Sequence, residues 1–223
     1  MSSEYPSTTF KKRINNIKKS IENLGMITIE AHRKTISLLN NYDYKIAKEA
    51  IEYSDEINDL AFELEKMCIT FIAIEHPIAR DLIFAESTIK VSSHLNRIGV
   101  LISKIAKGFE SVKDVKLPER LSEDCQYMGI YVQMMLSKSI NGFLDKNNTV
   151  AVELKEDDLK VDDLFDSILG QLTDLMSSNP DYISSAMKLI FIARYLERIG
   201  DRAVNIGSRT IFMLNFKKTN DLI

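Results

Sequence analysis

Two stretches of this chain match one another at helical spacing. Residues 94–106 (HLNRIGVLISKIA) and 195–207 (YLERIGDRAVNIG) keep Leu, Arg, Ile, Gly and a later Ile in register. The apolar stripe continues at Ile102 in the first stretch, opposite Ala203 in the second. Each stretch lies downstream of an X-Pro turn, His76-Pro77 and Asn179-Pro180, where proline disfavours helix in the residue before it. A duplicated unit of several helices accounts for both features, so the fold must offer two equivalent places for one motif.

Apolar periodicity fills in the remaining elements. Phe10, Ile14, Ile17, Ile21 and Leu24 begin a first helix that runs on to the Asn40-Asn41 break. A second runs from about Tyr44 to Ala73 and a third from about Ile78 to Lys107, with Gly108 read as its C-terminal stop. The fourth spans roughly Glu119 to Leu144, the fifth Val150 to Met176 and the sixth Asp181 to Phe216. Short turns between long helices imply antiparallel neighbours. The expected architecture is all-α, two tandem antiparallel three-helix bundles side by side. Its expected parts are a flexible N-terminus (1–9), a first repeat (10–110), a linker (111–118), a second repeat (119–216) and a C-terminal tail (217–223).

Composition narrows the class. Eight glycines, four prolines and no tryptophan in 223 residues supply little for the turns of an all-β fold. A net charge of −3 argues against bulk nucleic-acid binding, which needs a basic domain. Cys68 and Cys125 lack C-x-x-C spacing and read as reduced core residues of a cytosolic protein. No apolar run approaches the roughly 18 residues of a membrane span, and no signal core follows the N-terminal charges. The first helix has one basic face, with Lys11, Lys12, Arg13, Lys18 and Lys19. That face suits an anionic membrane surface or an acidic partner, or is simply the solvated side of a packed helix.

The chemistry gathers in the second repeat. Glu197 and Asp201 are four apart, one helical turn from each other, and repel by a few tenths of a kcal/mol in an isolated helix. Asp158 and Asp162 form a second such pair. With the fifth and sixth helices antiparallel across Asn179-Pro180, Asp162 lies 18 residues before Pro180 and Glu197 17 after it. Asp162 should therefore face Glu197, with Asp158 and Asp201 a turn further out. Either a cation or the arginines at 194, 198 and 202 must offset four converging carboxylates. An all-oxygen set without His or Cys suits magnesium, manganese, calcium or iron, and suits zinc less well. The alternative is an acidic patch with Arg194–Glu197 and Arg198–Asp201 pairs. The first repeat has Ser54, Asn58, Asn96 and Val100 at the matching positions, so it should lack such a site. Asp55 and Asp59 lie one residue off, turned by about 100° around the helix. The absence of Glu-x-x-His argues against a ferritin-like di-iron oxidase, and no Gly-rich phosphate loop, nucleophile elbow or Ser/His/Asp signature is present.

The run Leu196-Glu197-Arg198-Ile199-Gly200-Asp201-Arg202-Ala203-Val204-Asn205-Ile206 closely resembles the hallmark of the PhoU family of phosphate-uptake regulators. Glu75-His76-Pro77-Ile78-Ala79-Arg80-Asp81-Leu82 is similar to that family's turn into its third helix. The resemblance extends from about Gly25 to Ile211. It implies two three-helix bundles, often dimeric, which bind iron or zinc clusters through paired E/D-x-x-x-D motifs, one pair per repeat. Those motifs correspond to Asp158 with Asp162 and Glu197 with Asp201; manganese or magnesium stays open. The departures at Ser54, Asn58, Asn96 and Val100 leave a single cluster, or one completed by a symmetry mate. The resemblance further implies a non-enzymatic, cytoplasmic negative regulator of phosphate uptake that couples the phosphate ABC importer to its sensor histidine kinase. Homodimerisation, peripheral membrane contact through the first helix, and no nucleic acid complete the expectation. Two other readings stand beside it: a metal-buffering helical protein and a structural adaptor whose carboxylates only form ion pairs.

Overall fold

A computed structural model describes residues 8–39, 41–115 and 117–220, the last four of these as backbone. Six long helices account for the described chain: α1 (Thr8–Ser37), α2 (Tyr44–Glu75), α3 (Ala79–Glu110), α4 (Glu119–Asp145), α5 (Val150–Ser178) and α6 (Ile183–Asn220). A 3-10 turn at Pro180–Tyr182 leads into α6. The all-α, two-bundle expectation holds. Several helix ends outrun their apolar stripes, because periodicity marks only the buried face and polar end turns extend it unseen. Thus α1 starts at Thr8 rather than Phe10, and α6 continues to Asn220 rather than Phe216. Other ends fall short: α1 stops at Ser37, before Asn40-Asn41, and α6 begins at Ile183, after a 3-10 turn takes up the expected start at Asp181. The rest of the expected flexible N-terminus, residues 1–7, and the end of the expected tail, residues 221–223, lie outside the described residues.

Local chemistry sets the turns. Asp43 caps α2, its Oδ1 accepting from the backbone N–H of Lys45 at 2.7 Å and of Ile46 at 3.2 Å. His76 closes α2 in the left-handed conformation, φ 45°, and its N–H donates to the Ile72 carbonyl. Lys146 does the same for α4 at φ 58°. Asn179 Oδ1 accepts from Asp181 N–H at the start of the 3-10 turn, where Pro180 has no N–H that needs an acceptor.

Within each half the three helices pack on one another: α1, α2 and α3, then α4, α5 and α6. Between halves α3 packs on α6 and α1 on α4. The α1–α4 crossing is reciprocal. A Cβ at Gly25 would stand 2.7 Å from Ile140, and one at Gly129 would stand 2.7 Å from Ile36. Gly25 and Ile36 on α1 thus meet Ile140 and Gly129 on α4 as the two sides of an isologous interface do. Glycine is needed at both places because the facing isoleucine fills the space of a side chain. Gly108, expected as the stop of α3, has another role. It lies inside the helix, where a Cβ would meet Ile192 of α6 at 2.8 Å, while α3 continues to Glu110. Gly108 is a crossing point of the two bundles.

One continuous apolar core runs through both halves. Cys68 and Cys125 are free and buried in it, and burial pushes both thiols up to about 12. The thiols are therefore unreactive at neutral pH. Among the described residues no helix is long and apolar enough to cross a membrane. On the basic face of α1, Arg13 is tied to Glu75 of α2 at 3.0 Å, and Lys11, Lys12, Lys18 and Lys19 are exposed.

Candidate metal centre

The acidic residues of the second repeat lie on the facing sides of α5 and α6. Asp158 feels both Asp201 and Asp162, and Glu197 and Asp201 each feel Asp162. Burial, then the Asp201 and Asp162 charges, pushes Asp158 up to about 6. Burial is also the main cause that raises Glu197 and Asp201, with neighbouring carboxylates adding to it and arginines opposing it. Glu197 is only 9% exposed, and its Oε2 is buried with no hydrogen-bond partner. Its other oxygen accepts from Arg194 Nη1 at 2.5 Å. Arg198 and Arg202 act on Asp201 through space, and no Arg198–Asp201 ion pair forms among the described residues. The arginines thus offset part of the charge and leave one buried acceptor unmet.

The register can be checked in the first repeat, where the matching residues are neutral. Asn96 Nδ2 of α3 donates to Asn58 Oδ1 of α2 at 3.2 Å. These two occupy the positions that correspond to Glu197 and Asp162. An amide pair bridges the first repeat where two carboxylates oppose one another in the second.

Adjacent carboxylates on α5 have opposite surroundings. Asp157 is part-buried, which alone would raise it, but Lys138 at 2.5 Å and the Tyr131 hydroxyl at 2.8 Å hold it below its ordinary value. Asp157 fastens α5 to α4. Asp158, one residue on, points toward α6, where a Cβ on Gly200 would stand 3.5 Å from its Oδ1. A side chain larger than alanine at 200 would displace that carboxyl, so Gly200 keeps the space beside it open.

The donor set is all oxygen, hard and negatively charged, and its buried Glu197 oxygen lacks a partner; these residues fit a hard cation in chemistry. They are not drawn together: among the described residues no three His, Cys, Asp or Glu side chains are grouped closely enough to hold a metal ion. Binding would require rotamer changes that bring the four carboxylates inward.

The energetic consequence has a definite sign. A carboxylic acid whose folded pKa lies above its unfolded value contributes stability below the unfolded pKa and loses it as pH rises through the folded one. For Asp158 that window runs from near 3.8 to about 6. Asp158→Asn should therefore stabilise chelator-treated protein at pH 7, by about 1 kcal/mol after solvent screening. The melting temperature should rise by about 3 °C. Calorimetry across pH should show the gain vanish below pH 4; an equal gain at both ends would remove the electrostatic explanation.

Two three-helix units with a shared seam, and acidic residues facing one another across two helices of one unit, define a class of duplicated all-helical proteins. Known proteins supply the particular case. The PhoU domain matches residues 21–108 and again residues 126–210, and the chain belongs to the PhoU family. It is 46% identical over 218 residues to a protein of Methanothermobacter thermautotrophicus, covering 98% of this chain and all of the other. That protein is named a phosphate-specific transport system accessory protein PhoU homolog. A Clostridium acetobutylicum protein named in the same way is 27% identical, over 95% of this chain and 96% of its own length. The crystal structure of PhoU from Pseudomonas aeruginosa superposes with a TM-score of 0.87 at 25% identity, covering 92% of this chain and 99% of that one. The relatives of this chain are named as accessory or regulatory proteins of phosphate transport systems, not as enzymes.

Proposed function

We propose that this chain is an accessory protein of a phosphate transport system that restrains phosphate uptake and phosphate signalling by protein contact. Its partners are components of the phosphate ABC importer and the associated sensor histidine kinase, in the cytoplasm and as a homodimer. Support comes from the family, from the names of its relatives, and from a surface with an unspent basic face. Lys11, Lys12, Lys18 and Lys19 on α1 are exposed and suit an acidic partner or the membrane surface beside one. Such contact weakens with salt, since exposed charges are screened beyond about 10 Å at 0.1 M.

The second repeat of this regulator holds iron or zinc through Asp158, Asp162, Glu197 and Asp201, with manganese or magnesium as the hard-cation alternatives. The observation that carries this reading is the buried, unpartnered Glu197 Oε2 within a set of four mutually repelling carboxylates. Bound metal would supply the positive charge that the arginines do not. Asp162 and Asp201 would span the set from α5 to α6, and Gly200 would leave room for Asp158.

Elemental analysis by mass spectrometry tests it, on protein purified without chelator or affinity metal and beside the Asp162→Asn/Asp201→Asn variant. Stoichiometric metal in the wild type that disappears in the variant is the expected result. Metal retained by the variant would put the ligands elsewhere. A structural adaptor is the second reading, favoured by the Arg194–Glu197 ion pair; under it neither protein carries metal and both capture the same partners.

A further inference from the structure

A second charged cluster lies where α6 packs on α3. On α3, Glu86, Lys90, His94 and Arg97 follow helical spacing along one side. On α6, Arg202, Asn205, Arg209 and Phe212 do the same. The two sides meet in the seam between the repeats and flank a shallow, open cleft of about 270 Å³, lined by Lys90, His94, Asn205, Ser208, Arg209 and Phe212. No carboxylate lines it. Glu86, the acidic residue beside it, is taken up in an ion pair with Arg209.

The cleft is cationic, and its donors are under-used. Arg209 is held between Glu86 and the ring of Phe212, 4.1 Å from the ring centroid, yet its Nε has no hydrogen-bond partner. Arg202 Nε and His94 Nδ1 are likewise buried and unpartnered. Burial first, and then the charges of Arg202, Arg97 and Lys90, lower His94 from its ordinary value, so three cations already crowd the imidazole. Folding seldom leaves buried polar groups of this kind unmet, because losing water without gaining a partner is unfavourable. Guanidinium groups held in place by packing recognise tetrahedral oxyanions through charge-assisted hydrogen bonds. Ser208 and Asn205 at the mouth add neutral polar contacts, and the volume admits a small ion with its bridging waters.

The geometry points to a small-oxyanion site at the α3–α6 seam, taking orthophosphate or the phosphoryl group of a small phosphoester. Lys90 and Arg209 line the cleft, Arg209 sharing its charge with Glu86; Arg202, outside the lining but acting on His94, adds to the positive field, and Ser208 stands at the entrance. The occupant would bridge one helix from each repeat, so it would act on the contact between the two bundles. The site is independent of the metal reading, and the failure of either leaves the other standing.

Isothermal titration of the chelator-treated full chain at low ionic strength tests this, with orthophosphate and glycerol phosphate as separate titrants. Sodium chloride at matched ionic strength is the control. Saturable binding of one anion per chain is expected. Tighter binding of orthophosphate assigns the free ion, and tighter binding of glycerol phosphate assigns the phosphoryl group. Ser208→Glu sets a like charge at the mouth of the cleft on an exposed residue. Arg209→Lys keeps the pair with Glu86 but loses the planar fork. Each should weaken binding by at least about tenfold. Heat that the chloride control reproduces, no saturation with either anion, or both folded variants binding like the wild type would overturn the assignment.

Discussion

Leu95→Ala and Leu196→Ala should each destabilise the protein by about 3 kcal/mol, within the usual span for truncating a buried leucine. The two residues correspond in the repeats, on α3 and α6, and are 0% and 1% exposed. For a chain of this size the melting temperature should fall by about 10 °C in each case. The shape of the transition carries more information than its position. Because α3 and α6 pack on each other and the core is continuous through the seam, the two halves should unfold together. Scanning calorimetry should show one transition in the wild type, shifted as a whole by either substitution. Two transitions, with each variant moving only one, would mean that the repeats are thermodynamically separate despite the shared seam.

Acid should weaken the protein through His32. This residue is fully buried on α1, and Gln133 of α4 approaches the ring, but neither imidazole nitrogen has a hydrogen-bond partner. Burial therefore dominates and pushes it down to about 4. The unfolded chain takes up a proton near 6.5, whereas the folded chain resists until about 4, so stability is lost as pH falls through that interval. The loss amounts to about 3 kcal/mol at the acid end, at 1.36 kcal/mol per pH unit. His32→Leu removes the titrating group. The stability of the wild type minus that of the variant should therefore fall by that amount between pH 7 and pH 4. Asp158 titrates nearby with the opposite sign, but its contribution is common to both proteins and cancels in the difference. Denaturant melts at several pH values give the curve, and a flat difference would show that the folded protein admits the proton at His32 without cost.

Local patterns made much of this legible in advance. The six helices, their antiparallel order and the α5–α6 register all follow from apolar periodicity and the two X-Pro turns. The Asn58–Asn96 hydrogen bond lies at the level where that register sets the matching residues. Features that arise only between distant segments were not legible. Gly108 looked like a helix stop because glycine after an apolar pattern usually is one; Ile192, more than eighty residues on, is what requires it. The reciprocal glycine–isoleucine contacts of α1 and α4 have no signature within either helix. The basic seam escaped notice for the same reason: Lys90 and His94 are unremarkable on α3, as Arg202 and Arg209 are on α6, until the bundles bring them together. Sequence spacing also could not show which carboxylate is partnered. Asp157 and Asp158 are neighbours, and only the fold gives one of them Lys138 and Tyr131.

The reciprocal meeting of Gly25 with Ile140 and of Gly129 with Ile36 has a further consequence. It is the contact that two copies of a single three-helix unit would make about a two-fold axis, here joined by a short connection into one polypeptide. In a true pair of identical subunits every substitution appears on both sides, so a charged face cannot be gained or lost on one side alone. Joining the copies removes that restriction. One half of this chain carries four acidic residues where the other has serine, two asparagines and valine, and the α1–α4 crossing has kept its symmetry. The division of labour between the halves is a freedom that linkage provides.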